Sequence, residues 1–179
     1  RSFMAYVTAT WCGPCGQYGG PTFKHVVTAL GDDVLSVNVQ TSNSQLTPYF
    51  KKNGVSHPDS TFIGPAFTQI FNTLNVPTSG GSFSIPAFSV NNNYMGTSNT
   101  TVDQLKGAIT GNNANNPEIG VAANMGINGN TLTVKAKAKV FKATTATEFV
   151  WSVVVIETPI TGYQLVGGSA NNSYEHKNI

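Results

Sequence analysis

The chain has almost no cysteine: of its 179 residues only Cys12 and Cys15 carry a thiol. Bridging two residues three positions apart removes little entropy from the unfolded chain, so the fold cannot depend on a disulfide framework. A structural zinc site wants four ligands, and no second pair exists. Charge is scarce as well. Charged residues make up 10% of the chain, against about 25% in an average soluble domain. Ten Lys and Arg against eight Asp and Glu leave a formal net charge of +2, which gives nucleic acid no electrostatic footprint. No apolar run approaches the ~20 residues of a helical membrane span. Neither a glycine-rich phosphate loop nor a Ser–His–Asp set is legible. What remains is a chain with 40% hydrophobic residues, enough to build a core. Asn, Thr, Ser and Gly fill the places that charges leave, a composition that points to an exported protein.

Along the chain, Ser2 to Ala9 is an apolar, β-leaning run that predicts a strand, and Val34 to Val39 alternates as a second. Pro14 to Leu30 predicts a helix weakened by Gly19, Gly20 and Pro21, and Leu46 to Lys52 a short one. Phe62, Ile63, Ala66, Phe67, Ile70, Phe71 and Leu74 share one face at helical spacing. Asn91 to Asn93 reads as a turn between strands, because Asn tolerates positive φ. Thr100 or Thr101 is placed to cap a helix running to about Thr110. Residues 112–117 form an Asn-rich joint, after which helical periodicity vanishes. Ile119–Ile127, Thr131–Phe141 and Phe149–Ile156 read as strands, with Asn128-Gly129-Asn130 as a hairpin signal. The alternation of Lys135, Lys137 and Lys139 with Val and Ala reads as the solvated face of a half-buried sheet. A chain ending near Gly111 is expected to fold alone.

The chemistry lies in Trp11-Cys12-Gly13-Pro14-Cys15, between a predicted strand and a predicted helix. A thiolate is the reactive form of cysteine, and a helix N-terminus lowers a thiol's pKa. Cys12 meets that end first and is the expected nucleophile. Cys15, one turn on, is the expected resolving thiol, able to close a disulfide and release a substrate. Pro14 suits the first turn, where its missing N–H costs nothing. A bare C-x-x-C would equally suit an incidental dithiol; the flanking Trp, the Gly-Pro insert and the strand–helix setting favour redox chemistry.

Residues 3–15, FMAYVTATWCGPC, resemble the first strand and active-site turn of thioredoxin. The resemblance implies an α/β thioredoxin-like fold over residues 1–111, a central mixed sheet flanked by helices. It also implies thiol–disulfide oxidoreductase activity with no cofactor beyond the Cys12–Cys15 disulfide. It places a cis-proline opposite the dithiol at Pro86, after Ile85, and a substrate groove formed by Trp11, Gly13, Pro14, Ile85 and Pro86. Partners would be protein thiols and disulfides and an envelope electron donor. The Gly-Pro insert resembles that of the reducing members, so a reductase- or isomerase-like couple is expected. Two departures stand out. The family's buried Asp, six residues before the first Cys, is replaced by Tyr6, and the usual Lys on the next strand is missing. Resolution by Cys15 is therefore expected to be slow and base-dependent unless water or His57 takes the proton, and Tyr6→Asp to speed it provided the pocket tolerates a charge.

The remainder resembles Bacteroidetes surface and outer-membrane lipoproteins that join a thioredoxin-like domain to a β-rich region. That implies extracytoplasmic residence in the periplasm, outer membrane or cell surface, with room for a lipid anchor outside the residues read here. Residues 118–179 are expected to form a small antiparallel, sandwich-like β domain that a further strand after Ile179 would complete. The alternative function is a surface binding or attachment protein that keeps the scaffold with little redox activity.

Overall fold

A computed structural model describes residues 1–41, 49–52, 55–58, 67, 70–142, 153–156 and 158–177. Strand β1 (Ser2–Thr8) pairs in parallel with β2 (Val34–Gln40), from Ser2↔Val34 to Thr8↔Gln40. On its other edge β1 pairs antiparallel with β5 (Ala87–Val90), and β5 pairs with β6 (Asn93–Gly96), giving the order β2-β1-β5-β6. The β5–β6 turn needs two left-handed residues in succession, and Asn91 (φ 47°) and Asn92 (φ 65°) supply them.

β1 is central, so its side chains alternate between two apolar layers. Met4 and Tyr6 join Phe23 and Val26 of helix α1 (Gly20–Leu30) and Leu105 and Ile109 of helix α2 (Val102–Asn113). Ala5 and Val7 face the opposite way, with Val37, Val39, Leu74 and Ala87, and Phe67, Ile70 and Phe71 pack on this second layer. Most of the helix expected over 59–74 lies outside the described residues. Helix α2 begins with a reciprocal cap: Gln104 N–H donates to Thr101 Oγ1 (3.2 Å) and Thr101 N–H to Gln104 Oε1 (2.8 Å).

The predicted break before α1 takes the form of a π turn over Cys15–Gly19. Pro21 has no N–H to give the carbonyl four residues back. The ladder shifts by one, and Gly20 N–H bonds to Cys15 O instead.

Three expectations are corrected. The short helix expected at Leu46 to Lys52 is absent from residues 49–52, which form β3 (Tyr49–Lys52), paired antiparallel with β4 (Val55–Pro58). Lys52 pairs with Val55, so these residues take hydrogen-bond partners in a sheet that a short helix does not offer. No strand forms at residues 153–156, and the rest of the strand expected over 149–156 lies outside the described residues. The third concerns the domain boundary. The chain divides into one unit of residues 1–113 with 154–179 and another of residues 114–153. The expected single C-terminal domain, 118–179, is thus split. Its last stretch forms β9 (Ile160–Val166) and β10 (Ser169–His176), and β9 pairs with β3 in the order β10-β9-β3-β4. The physical reason is hydrogen bonding: β9 finds open backbone partners on β3 and on the dithiol turn.

The second unit carries the hairpin β7 (Ile119–Asn128) and β8 (Thr131–Val140), turned by Gly129 at φ 56°. Its register puts Ile119 opposite Val140, Val121 opposite Ala138, Ala123 opposite Ala136, Met125 opposite Val134 and Ile127 opposite Leu132. One face is thus wholly apolar, and the other carries Lys135, Lys137 and Lys139.

Candidate functional site: the Cys12–Cys15 turn

Cys12 and Cys15 lie where β1 gives way to the helical turn, and they are joined by a disulfide with Cα atoms 5.2 Å apart. Three bonds donated by main-chain amides shape the turn. Cys12 N–H donates to Ala9 O (3.1 Å), and Gly16 N–H donates to Cys12 O (3.2 Å). Cys15 N–H points at Cys12 Sγ (3.1 Å). That amide belongs to the first helical turn, so the sulfur of Cys12 sits at the positive end of a helix, where a thiolate is favoured.

Cys12 is 5% exposed and Cys15 1%, so both are buried, Cys15 the more completely. They cluster with Ala9, and Trp11 and Ile85 pack against that cluster. The Ile85–Pro86 peptide is cis, and Ile85 O lies 3.8 Å from Cys12 Sγ. Pro86 is buried and Pro14 exposed. Of the five expected groove residues, Trp11, Ile85 and Pro14 are open to solvent in part or whole. Gly13 and Pro86 are buried, and a Cβ on Gly13 would collide with the carbonyl of Gly167.

Tyr6 fills the place expected of an acid. It is stacked between Phe23 and Phe88, with ring centroids 5.3 and 5.1 Å away, and its hydroxyl donates to Cys15 O (2.9 Å). Burial pushes the phenol far above its usual value. It stays protonated and holds the resolving cysteine's main chain; it is no base. Its bulk also accounts for Gly19, where a Cβ would lie 2.6 Å from the Tyr6 hydroxyl and 2.8 Å from Pro86 Cβ. Gly20 is needed for the same kind of reason, since a Cβ there would strike the Tyr174 hydroxyl. The Gly-Gly step that looks like a helix defect is the space two tyrosines occupy. His57 belongs to β4, but its side chain lies outside the described residues. His25 is exposed, on the outer face of α1.

Sequence reasoning missed the hairpin β9–β10. Leu165 N–H donates to Thr10 O (2.7 Å) and Gly167 N–H to Gly13 O (3.1 Å). Gln164, 2% exposed, aims its amide nitrogen at Ala9 O (3.1 Å), Cys12 O (3.0 Å) and Leu165 O (3.1 Å). A Cβ on Gly16 would meet Leu165 O. The available signal was glycine itself. Gly13, Gly16, Gly19 and Gly20 line one stretch of helix, and a row of missing Cβ atoms marks close approach by other groups. Nothing in the sequence says that residues 164–174 would be among them.

At the base of the hairpin His176 is 2% exposed. Its Nε2 lies 3.2 Å from Tyr163 O, which only accepts, so Nε2 carries the proton and donates. Nδ1 then accepts from Gln40 Nε2 at 3.4 Å. Burial lowers its pKa to about 4. In the unfolded chain the ring takes a proton near pH 6.5, so between these values the unfolded state binds more protons. Its contribution to stability is therefore complete above pH ~6.5 and is lost as pH falls towards 4, a change of about 3 kcal/mol. Urea unfolding at pH 7.5 and 4.5 should show a smaller difference for His176→Gln than for the parent; an equal difference would contradict the assignment.

Among the described residues, no group of three or more His, Cys, Asp or Glu is placed to hold a metal ion. Compared with known proteins, the chain matches no protein-family model, no curated protein and no solved structure.

Proposed function

We propose that this chain is a thiol–disulfide oxidoreductase with a thioredoxin-like fold, reductase- or isomerase-like, acting outside the cytoplasm. The observation that carries the reading is the Cys12 sulfur, 3.1 Å from the first amide of a helix, with Cys15 bonded to it one turn on. The parallel β1–β2 pair followed by antiparallel β5 and β6, with helices α1 and α2 on one face, supports the fold. In the reduced protein the Cys12 thiolate attacks one sulfur of a substrate disulfide. That bond breaks, the other substrate sulfur leaves as a thiolate, and a mixed disulfide forms. The Cys15 thiol passes its proton to the departing thiolate or to solvent and attacks Cys12 Sγ. The second substrate thiol leaves, and two electrons have moved from the protein dithiol to the substrate. The Ile85 carbonyl, beside Cys12 Sγ, is placed to line the approach of an extended substrate chain.

A second reading, a binding or attachment protein with little redox activity, draws on the open apolar face of β7–β8, where Val121, Met125 and Ile127 are exposed. Reduction of insulin disulfides by the full chain and by Cys12→Ser separates the two. Turnover that needs Cys12 supports the enzyme, and no turnover by either favours attachment.

A further inference from the structure

Gln164 is 2% exposed, and its side chain bonds the neighbouring Leu165 carbonyl in its own strand. Its other two acceptors, Ala9 O and Cys12 O, bracket the segment that leads into the dithiol. Cys12 O is shared with Gly16 N–H, the bond that closes the first turn around the two sulfurs. On either side, Leu165 N–H reaches Thr10 O and Gly167 N–H reaches Gly13 O. Gly13 must lack a Cβ for the Gly167 carbonyl to come so near, so the turn and the hairpin are in close contact there. A buried amide facing three carbonyl oxygens is more than a surface dock needs, and losing its donors would take the second hydrogen bond from Ala9 O and Cys12 O, which keep Cys12 N–H and Gly16 N–H.

We propose that Gln164 is a positioning residue for the dithiol, fixing the Cys12 main chain where Cys15 can close the disulfide. This rests on the redox reading above. Closing a disulfide depends on how often the two thiols meet in bonding geometry, and immobilising one partner's backbone raises that frequency. The hairpin contributed from residues 160–176 thus sets how stable the Cys12–Cys15 disulfide is.

The test is the equilibrium between reduced full-length chain and oxidised glutathione, in which the protein dithiol becomes a disulfide and two molecules of reduced glutathione are released. Gln164→Met keeps much of the volume and removes both donors. Its equilibrium constant for disulfide formation should fall roughly fivefold to tenfold. Urea unfolding of both redox forms closes the cycle. A merely structural amide would destabilise the two forms equally and leave the constant unchanged, which would overturn the proposal. Gly13→Ala is a second approach, because its methyl displaces the Gly167 carbonyl. Its constant should also fall, and the two substitutions together should lower it by less than the product of their separate effects. Should Gln164→Met fail to fold, an unchanged constant in Gly13→Ala would overturn the proposal alone. The constant needs no protein substrate, so a chain inactive on insulin can still show the shift, and an active one can still lack it.

Discussion

Ending the chain at Asn113 should lower its melting temperature by roughly 15 °C or more and expose the Thr10–Gly20 segment to proteases. Strand β9 and the tip of the hairpin supply the partners of Thr10 O and Gly13 O. Gln164 supplies a donor to Ala9 O and Cys12 O. Each such bond is worth about 1 kcal/mol net, and the apolar surface that the hairpin covers is returned to water with them. Removing the hairpin also takes away the β9 partner of β3 and uncovers Gln40, whose amide lies against His176. The composition of the Asn-rich joint argues for an independent first domain, but joint composition does not reveal whether the chain returns. Thermal melts and limited proteolysis of the two chain lengths decide it. Coincident melts would mean that the hairpin is an appendage.

Tyr6→Asp should destabilise the protein by about 5 kcal/mol, against a usual total of 5–15 kcal/mol. The resemblance led to an expected gain in turnover from an acid here, provided the pocket tolerates a charge, and the packing around Tyr6 bears on that condition. Tyr6 is 2% exposed and wedged between Phe23 and Phe88. An aspartate there leaves an aromatic-sized void and a carboxyl facing two rings. Tyr6→Phe keeps the stack and loses only the bond to Cys15 O, so it should cost about 1 kcal/mol. Urea unfolding orders the three proteins. If Tyr6→Asp unfolds at the same midpoint as Tyr6→Phe, the ring packing is not what Tyr6 contributes. A Cβ on Gly19 would lie 2.6 Å from the Tyr6 hydroxyl, so the two positions are coupled through the same space.

What could be read from the sequence was local. The β1 run, the alternation of β2, the Asn turn after β5, the Thr101 cap and the C-x-x-C at a strand–helix junction each follow from a few neighbouring residues. So does the apolar register of β7 against β8, fixed by a two-residue turn. What could not be read was long-range. Gln164 meets Cys12 across 152 positions, and nothing around a glutamine in an alternating strand marks it as buried under a distant turn. The Leu46–Lys52 error has the same origin, since β3 is held by β9, more than a hundred positions later. Glycine spacing after the dithiol was the one trace of these contacts in the sequence, and it reads equally well as a weak helix.

The most direct test of the redox reading is the rate of insulin-disulfide reduction by the full-length chain with a small dithiol as electron source. The parent chain should accelerate precipitation of the insulin B chain well above the dithiol alone, and Cys12→Ser should fall to that background. Equal rates for the parent and Cys12→Ser would contradict it.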